Sequence, residues 1–339
     1  MISCVFTIDY EIYGNGEGSL KDLVFEPADA LKTLFKKRNA KLVLFVEAAE
    51  LEVIESAKTD PAVELVRRQI RDYYRDGFEI GLHMHPQWYQ ARFENGRWFM
   101  NYDEYNLCVL PRDRILNLVD RSIAYLRKAT GDPSFKPLSF RAGNWLFQPT
   151  QTAASVLAEQ GVRVDSSVFK GGRQLQHRLN YRRALANGYA WPFSADVNVP
   201  DPQGALTEYP IHTRMVPPWK ILTDKRIGLQ RKGPSGPGPG SARWYRLMDF
   251  LRFRHPLKFD FCRLTIEELK RMLDREIRKD QKNPEVFRPL VAIGHTKDLV
   301  DFKTVELLLS YLDENKIALS TFKEIVSMIP RYRSESPER

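Results

Sequence analysis

The sequence predicts an α/β fold in which parallel strands are connected by helices. Short β-rich runs alternate with stretches of helical spacing six or seven times along the 339 residues, which is typical of strand and crossover-helix units. The length suits one large barrel domain, and 43% hydrophobic residues are enough for a large core. An open sheet and a closed barrel both fit this pattern.

The first half of the chain contributes five strands and four helices to this prediction. Lys41–Val46 is an apolar run that suits a buried strand, and Ile115, Leu118 and Val119 recur at helical spacing. The predicted strands of this half cover residues 3–8, 41–46, 78–82, 138–141 and 162–164. The predicted helices cover residues 28–37, 63–75, 112–128 and 150–159.

The second half continues the alternation. Thr265 and Glu268 have the spacing of a capping box, which predicts a helix that begins there and continues to about Arg278. A helix that begins near Thr321 closes the chain. The other predicted elements are strands at residues 206–211, 290–293 and near 317, and a helix that contains residues 305–312.

Two segments interrupt the alternation within a single predicted domain of residues 1–329. Residues 86–110 are loop-like and aromatic, and residues 215–262 form a basic insertion with a centre rich in glycine and proline. Residues 242–254 interleave basic and aromatic side chains, which fits either an interfacial amphipathic helix or a lid helix over the barrel. Residues 330–339 are predicted to be a disordered tail.

Charge and cysteine content limit the classes of partner and compartment. The net charge is +9, which either favours an anionic partner or simply reflects a solvated basic surface. No zinc finger, glycine-rich RNA-binding signature or helix-turn-helix pattern is present, so we expect no nucleic-acid partner. Three scattered cysteines, no signal peptide after Met1 and no long apolar run together predict a cytoplasmic protein in a reducing compartment.

Titratable residues stand at the ends of five predicted strands, where parallel α/β folds place their reactive face. These residues are Asp9 and Glu11, His83 and His85, Arg141, Asp165, and His295. Residues two apart in a strand point to the same side, so both imidazoles can face one ion. Two histidines, a carboxylate and an open position for water are a recurrent catalytic zinc arrangement. Taken singly, each feature also fits a loop or turn, and their joint placement favours a metal site.

The same segments resemble the motifs of the polysaccharide deacetylase (NodB-homology) family, in the family's order. The matching segments are residues 6–11, 79–86, 140–145, 164–167 and 293–295. The resemblance covers roughly residues 1–325 and is greatest to the divergent branch found among lipopolysaccharide and O-antigen biosynthesis proteins. It implies a deformed (β/α)7 barrel and a divalent metal ion, usually Zn²⁺.

The resemblance also implies the ligands of that metal. Glu11 matches the metal-binding carboxylate, where the family usually has aspartate, and His83 matches the first metal histidine. The family's second histidine follows four residues after the first, a position that Gln87 occupies here. We therefore expect His85 to supply the second imidazole.

The catalytic roles follow from the same resemblance. Asp9 matches the catalytic base and Arg141 the arginine that orients this base. His295 matches the general acid, and Asp165 matches the aspartate that tunes it. Each of these three residues also has a structural explanation. Arg141 fits a surface ion pair, Asp165 a turn residue or helix cap, and His295 a structural histidine.

The expected function is therefore hydrolysis of an N-acyl group, chiefly N-acetyl, on an amino sugar of a surface polysaccharide or O-antigen. Trp145, Trp88 and Tyr10 are the expected substrate-binding residues, and the sugar would be nucleotide-linked, lipid-linked or polymeric. A lipid-linked substrate would bring the protein to the inner face of the membrane. The alternative is a catalytically degenerate module of the same fold that binds a glycan.

Overall fold

The computed structural model of the chain describes residues 1–184, 189–217, 219–220 and 254–333. The strands in these ranges are β1 (Ile2–Tyr10), β2 (Val43–Glu47), β3 (Glu79–Met84), β4 (Arg92–Glu94), β5 (Arg97–Phe99), β6 (Ser139–Ala142), β7 (Val164–Asp165), β8 (Arg173–Gln174), β9 (Leu179–Asn180), β10 (Trp191–Phe193), β11 (Leu206–Glu208), β12 (Thr213–Val216), β13 (His255–Lys258), β14 (Arg288–His295) and β15 (Ala318–Leu319). The helices are α1 (Glu26–Lys36), α2 (Ala48–Ala57), α3 (Val63–Arg75), α4 (Arg112–Thr130), α5 (Gln151–Glu159), α6 (Ile266–Lys282), α7 (Phe302–Glu314) and α8 (Phe322–Arg333).

The main sheet is a deformed barrel of parallel strands. Its parallel strands lie side by side in the order β14, β1, β2, β3, β6, β7 and β11. Parallel bridges join Ile211 both to Phe169, beyond β7, and to Val291 of β14, so the two ends of the sheet meet. The predicted α/β class is confirmed, and the barrel is the arrangement that the chain adopts.

The central strands are buried because helices cover the outside of the barrel. All nine residues of β1 are buried, and so are all residues of β14 before His295. Strands covered on both faces are expected to be hydrophobic throughout rather than alternating. Helix α4 packs the predicted face of Ile115, Leu118 and Val119 into the core.

Helix α2 and several short strands (β4, β5, β8, β9, β10, β12 and β13) have no predicted counterpart. Helix α2 was not predicted, because it follows β2 directly and the turn residues that mark a helix start are missing. Glu47 serves as its N-cap, since the Glu47 side chain accepts hydrogen bonds from the N–H groups of Ala49 and Glu50. Within the aromatic segment 86–110, strands β4 and β5 form a short hairpin.

The two predicted capping motifs are both present. Thr265 is the N-cap of α6, and its hydroxyl accepts a hydrogen bond from the Glu268 N–H at 3.3 Å. At the start of α8, the Glu324 carboxylate accepts a hydrogen bond from the Thr321 N–H at 2.6 Å. Both contacts satisfy N–H groups that a helix end otherwise leaves unpaired.

The basic insertion starts and ends on an antiparallel pair of strands. Thr213 of β12 pairs with Lys258 of β13 in a separate two-stranded sheet, and Asp260 forms a single bridge to Ile293 of β14. Residues 221–253, which include most of the predicted amphipathic segment, lie outside the described residues.

Two further observations concern the end of the last helix and the hydrophobicity of the helices. Helix α8 continues to Arg333, past the predicted start of the tail at residue 330, and residues 334–339 lie outside the described residues. In the described part of the chain, no helix is both long enough and apolar enough to cross a membrane.

The barrel brings the candidate residues to one end. Asp9 is in register with His295, and His83 is in register with both Glu47 and Arg141. His295, Asp9, Glu47 and His83 therefore lie at neighbouring positions near the carboxyl ends of the adjacent strands β14, β1, β2 and β3. This end forms a cleft of about 190 Å³.

Candidate metal centre and active site

Three of the predicted metal ligands converge at the carboxyl end of β1 and β3. Glu11 Oε2 lies 3.4 Å from His83 Nε2 and 3.1 Å from His85 Nε2. All three side chains are buried. The structure therefore brings together Glu11, His83 and His85, with His85 in place of the family's second histidine position.

The hydrogen bonds of His83 show what the ring presents to Glu11. His83 Nδ1 lies 2.9 Å from the carbonyl oxygen of Arg141, which can only accept, so Nδ1 is the protonated nitrogen. Nε2 then directs a lone pair at the Glu11 carboxylate, and two electron-rich atoms at this distance need a cation between them. Zinc ligands are commonly oriented in this way by a carbonyl group behind the ring. The donor set fits a divalent metal ion.

In the absence of a metal, a proton would take its place. Burial lowers the pKa of His83, but the carboxylates of Asp9 and Glu11 outweigh this effect and raise the pKa to about 9. Burial raises the pKa of Glu11, yet Lys297 and His85 outweigh that effect and hold the pKa well below its usual range. Glu11 is therefore an anion that attracts a cation.

His85 is held by two amide side chains. Gln87 Nε2 lies 3.3 Å and Asn144 Nδ2 lies 3.2 Å from His85 Nδ1. A half-turn of the Gln87 amide would let its oxygen, which has no partner among the described residues, accept a hydrogen bond from Nδ1–H and leave the Nε2 lone pair for a metal. Gln87 thus stands at the family's second histidine position and contacts the histidine that replaces it.

The loop after β6 needs a glycine to leave room for this ring. A Cβ atom at Gly143 would lie 2.5 Å from the Met84 carbonyl oxygen and 2.8 Å from His85 Cγ. Both distances are shorter than normal contacts, so a larger residue would displace His85. Gly143 is therefore a packing requirement of the second imidazole.

Asp9 and Arg141 form a buried ion pair beside the metal ligands. Arg141 Nη1 donates to Asp9 Oδ1 at 2.6 Å, and its other nitrogens donate to Thr7 and Ser166. Burial raises the pKa of Asp9, but Arg141, His83 and His295 outweigh it and lower the pKa. Asp9 is therefore ionised, as a general base must be.

His295 faces Asp9 from the adjacent strand. Its Nε2 lies 3.3 Å from Asp9 Oδ2, and its Nδ1 lies 3.8 Å from Asp298 Oδ2. Burial lowers the pKa of His295 to about 4, although Asp9 opposes this effect. The ring is therefore neutral at pH 7 and would have to gain a proton before it could act as the general acid that the family resemblance implies.

Asp165 requires a correction, because it does not tune His295. Its Oδ1 accepts a hydrogen bond from Ser167, and the residue opposite on β11 is Glu208. Burial raises the pKa of Asp165, and burial and the Asp165 charge raise the pKa of Glu208 well above its usual range. In the described residues, the carboxylates that approach His295 belong to Asp9 and Asp298.

The three predicted aromatic contacts have different outcomes. Trp145 lies at the wall of the cleft, with its ring perpendicular to His295 at 6.0 Å. Trp88 is fully buried, and its ring centre lies 5.3 Å from that of Trp98. The prediction that Trp88 contacts the substrate is therefore wrong. Tyr10 is also fully buried, and its hydroxyl donates to Gln69 at 2.7 Å, because strand alternation points it away from Asp9.

The backbone supports a functional position for Trp145. Trp145 has a φ of 65° and the preceding Asn144 has a φ of 55°. A left-handed conformation is unfavourable for a bulky side chain and persists when surrounding contacts impose it. Here it turns the indole ring toward the cleft.

Four charged residues of the cleft region were missed by the sequence analysis. Glu47 ends β2 beside His83, and Lys297 Nζ donates to Glu11 Oε1 at 2.6 Å. Lys258 and Arg263 also line the cleft, and Lys258 Nζ lies 4.0 Å from the Trp145 ring centre. Glu47 could have been found with the strand-end rule, because it directly follows the apolar run 41–46. The other three carry no comparable signal.

Comparison with known proteins gives a structural match without a sequence match. No protein-family model and no curated protein matches the sequence. A candidate polysaccharide deacetylase from Mycobacterium smegmatis matches with a TM-score of 0.57 and 14% identity over 99% of this chain and 92% of its own. A candidate polysaccharide deacetylase from Pseudomonas aeruginosa PAO1 matches with a TM-score of 0.50 and 13% identity over 100% and 93%. The fold is that of the polysaccharide deacetylases.

A third solved structure shows why the fold does not settle the reaction. A 4-alpha-glucanotransferase from Thermococcus litoralis matches with a TM-score of 0.52 and 15% identity, over 100% of this chain and 41% of its own. One fold therefore occurs in proteins described by different activities, and function has to be argued from the site. The predicted deformed (β/α)7 barrel is confirmed.

Proposed function

We propose that this protein is a metal-dependent hydrolase that removes an N-acyl group, chiefly N-acetyl, from an amino sugar. The observation that carries the proposal is the convergence of Glu11, His83 and His85 beside an ionised Asp9 in one cleft. The fold shared with candidate polysaccharide deacetylases supports it.

Glu11, His83 and His85 would hold the metal. Two imidazole nitrogens and one carboxylate oxygen are typical of catalytic zinc sites, so Zn²⁺ is the proposed ion. When bound, it supplies Lewis-acid activation of a water molecule and of the acyl carbonyl group. The Arg141 carbonyl group keeps the His83 ring in its binding orientation.

Asp9 is the proposed general base. Arg141 binds Asp9 Oδ1 and keeps the carboxylate ionised, which leaves Oδ2 to take a proton from the attacking water. General acid or base assistance of this kind contributes about 100- to 10,000-fold to the rate. Arg141 is fully buried and acts by positioning Asp9.

His295 is the proposed general acid for the departing amine. Its Nε2 lies 3.3 Å from Asp9 Oδ2, so a proton that Asp9 takes from water is one short transfer from the ring. Because burial keeps His295 neutral in the free protein, the ring would gain this proton during the reaction. Asp298, rather than Asp165, is placed to stabilise the charged ring.

The cleft limits the part of the substrate that enters it. Its volume of about 190 Å³ is below the 300–1,000 Å³ of sites for drug-sized ligands, which favours one acylated sugar ring over a long glycan. Trp145 offers an apolar face for such a ring. Lys258 lines the same cleft, with its ammonium group 4.0 Å from the Trp145 ring centre, which favours a sugar that carries phosphate.

We therefore infer a nucleotide- or lipid-linked amino sugar of surface-polysaccharide or O-antigen synthesis. A lipid-linked substrate would place the protein at the inner face of the cytoplasmic membrane.

Lys258→Met tests the phosphate inference, because it removes the charge and keeps an apolar chain over Trp145. We expect about a tenfold higher KM for a nucleotide-linked acetylated sugar and little change for the free sugar. Equal effects on both substrates would contradict the phosphate contact.

One observation favours a second candidate function, a catalytically degenerate glycan-binding module. Lys297 Nζ donates to Glu11 Oε1 at 2.6 Å, so an ammonium group already neutralises part of the metal-binding carboxylate. Metal analysis separates the candidates, since a binding module need not hold stoichiometric metal.

The hydrolase proposal is tested by reconstitution. The purified protein is stripped with a chelator, reloaded with Zn²⁺, and assayed for acetate release from acetylated amino sugars. We expect about one metal ion per chain, loss of acetate release after stripping and recovery after reloading. Glycan binding without any metal uptake would instead support the binding module.

A further inference from the structure

Glu47 is a second carboxylate beside the metal centre, beyond the residues that the family motifs supply. It ends β2, in register with His83 of β3, and its side chain is fully buried. Its Oε1 accepts hydrogen bonds from the N–H groups of Ala49 at 3.1 Å and Glu50 at 3.3 Å. The cap of α2 therefore fixes the carboxylate in one orientation.

The second carboxylate oxygen of Glu47, Oε2, takes no part in this helix cap. Oε2 is buried and has no hydrogen-bond partner among the described residues. A buried carboxylate oxygen without a donor or cation is costly, and such groups are normally paired. The fixed orientation of Oε1 means that Oε2 cannot rotate away to find a partner without breaking the helix cap.

The space next to Glu47 is the metal centre itself. Glu47, Glu11, His83 and His85 each offer one ligand atom, and these four atoms lie within 4.8 Å of one another. The neighbouring ammonium group of Lys297 contacts the other carboxylate, Glu11. His83 Nδ1 is engaged with the Arg141 carbonyl oxygen, so this nitrogen does not turn toward Glu47.

We propose that Glu47 is a fourth protein ligand of the metal, so that the centre is built from two histidines and two glutamates. The inference rests on the metal of the proposed function and adds a ligand that the motifs do not contain. Two carboxylates would neutralise the charge of a divalent cation in a buried site. The additional oxygen would also widen the preference from Zn²⁺ toward oxygen-preferring cations such as Mn²⁺.

Glu50 provides a matched control for this proposal. It is a buried glutamate three residues further along, and its Oε1 accepts a hydrogen bond from the Ile12 N–H at 2.9 Å. It does not belong to the group of four ligand atoms within 4.8 Å. Both residues can be changed to glutamine, which keeps an oxygen that accepts the same backbone hydrogen bonds.

The test measures the affinity of the full-length protein for Zn²⁺ by competition with a chromophoric chelator. We expect Glu47→Gln to weaken binding by about 10- to 100-fold, and Glu50→Gln to change it less than about threefold. The visible absorption of the Co²⁺-loaded protein should change in Glu47→Gln and stay as in the unchanged chain in Glu50→Gln. Thermal unfolding of the metal-free variants shows whether each is folded.

The outcomes separate this inference from the proposed function. Zn²⁺ affinity and Co²⁺ absorption of Glu47→Gln that equal those of the unchanged protein would overturn the fourth ligand and leave the hydrolase proposal intact. An unchanged protein that binds no divalent cation would overturn both. If Glu47→Gln does not fold, Glu47→Asp keeps the charge but shortens the reach, and undiminished affinity in that variant would equally overturn the inference.

Discussion

Two pairs of buried carboxyl groups at the carboxyl end of the barrel have different surroundings. Glu11 and Glu47 end β1 and β2 and are faced by the imidazoles of β3. Asp165 and Glu208 lie opposite each other on β7 and β11, where serine hydroxyls and backbone N–H groups surround them.

The surroundings determine whether each pair of carboxyl groups binds a proton or a metal ion. The pKa values of Asp165 and Glu208 are both raised, chiefly by burial, so this pair retains a proton. In the other pair burial also raises the pKa of Glu47, but Glu11 is held ionised and faces His83 and His85, whose imidazoles can bind a metal ion. Equivalent positions in the barrel therefore offer a candidate metal site on one side and a pair of carboxyl groups without a facing imidazole on the other.

The largest expected effect comes from removing the proposed metal ligands His83 and Glu11. His83→Ala and Glu11→Ala should each lose the bound metal and with it several kcal/mol of transition-state stabilisation, about a thousandfold or more in rate. Metal content per chain and acetate release are measured on the same samples. Full metal occupancy in both variants would remove these residues from the ligand set.

The next effect separates the base from the metal. Asp9→Asn removes the ionised carboxylate beside Arg141 but none of the proposed ligands, so metal content should stay near that of the unchanged chain. Turnover should fall by about 100- to 10,000-fold. Turnover that persists with metal bound would assign the base to another residue.

A smaller effect distinguishes the two aspartates that compete for His295. Asp298→Asn removes the carboxylate 3.8 Å from His295 Nδ1 and should lower turnover by about tenfold. Asp165→Asn should change turnover by less than about threefold, because Asp165 binds Ser167 instead. The opposite order of effects would restore the role that the family resemblance implies for Asp165.

The smallest effect concerns the proton held by Asp165 and Glu208. A raised folded-state pKa means that the native protein binds more protons than the unfolded chain, so this pair stabilises the fold below pH about 4 and loses that contribution as pH rises. Glu208→Gln removes the titration and keeps an acceptor for the Val168 N–H. Above pH about 4.5, the free energy of unfolding should fall less steeply in the variant, by up to about 1.4 kcal/mol per pH unit.

Denaturant titrations between pH 4.5 and 8 measure this difference. Asp132→Asn, at a half-buried loop position outside the pair, is a suitable control because its pKa is lowered rather than raised. Identical pH dependence of the unchanged chain and Glu208→Gln would mean that the pair does not retain a proton.

Much of the fold and the centre of the site could be predicted from the sequence. The spacing of two that joins Asp9 to Glu11, and His83 to His85, survives into the structure because strand geometry is local. The alternation of strands and helices is local too, so the parallel barrel could be expected without knowing its closure.

The errors depend on which side chains meet in the folded chain, whether the partners are near or far apart in sequence. Glu208, the partner of Asp165, lies 43 residues further along, and Asp298 reaches His295 within a turn that no spacing rule marks. Tyr10 and Trp88 stand beside site residues in sequence but point into the core. Glu47 was missed because the strand before it was interpreted as purely structural.

The most direct test of the central claim is a crystal structure of the Zn²⁺-loaded protein with anomalous diffraction data collected at the zinc absorption edge. The account predicts one anomalous peak about 2.0–2.2 Å from Nε2 of His83, Nε2 of His85 and a carboxylate oxygen of Glu11, next to Asp9. A zinc-loaded crystal in which the peak lies elsewhere, or in which these three side chains point away from one another, would contradict it.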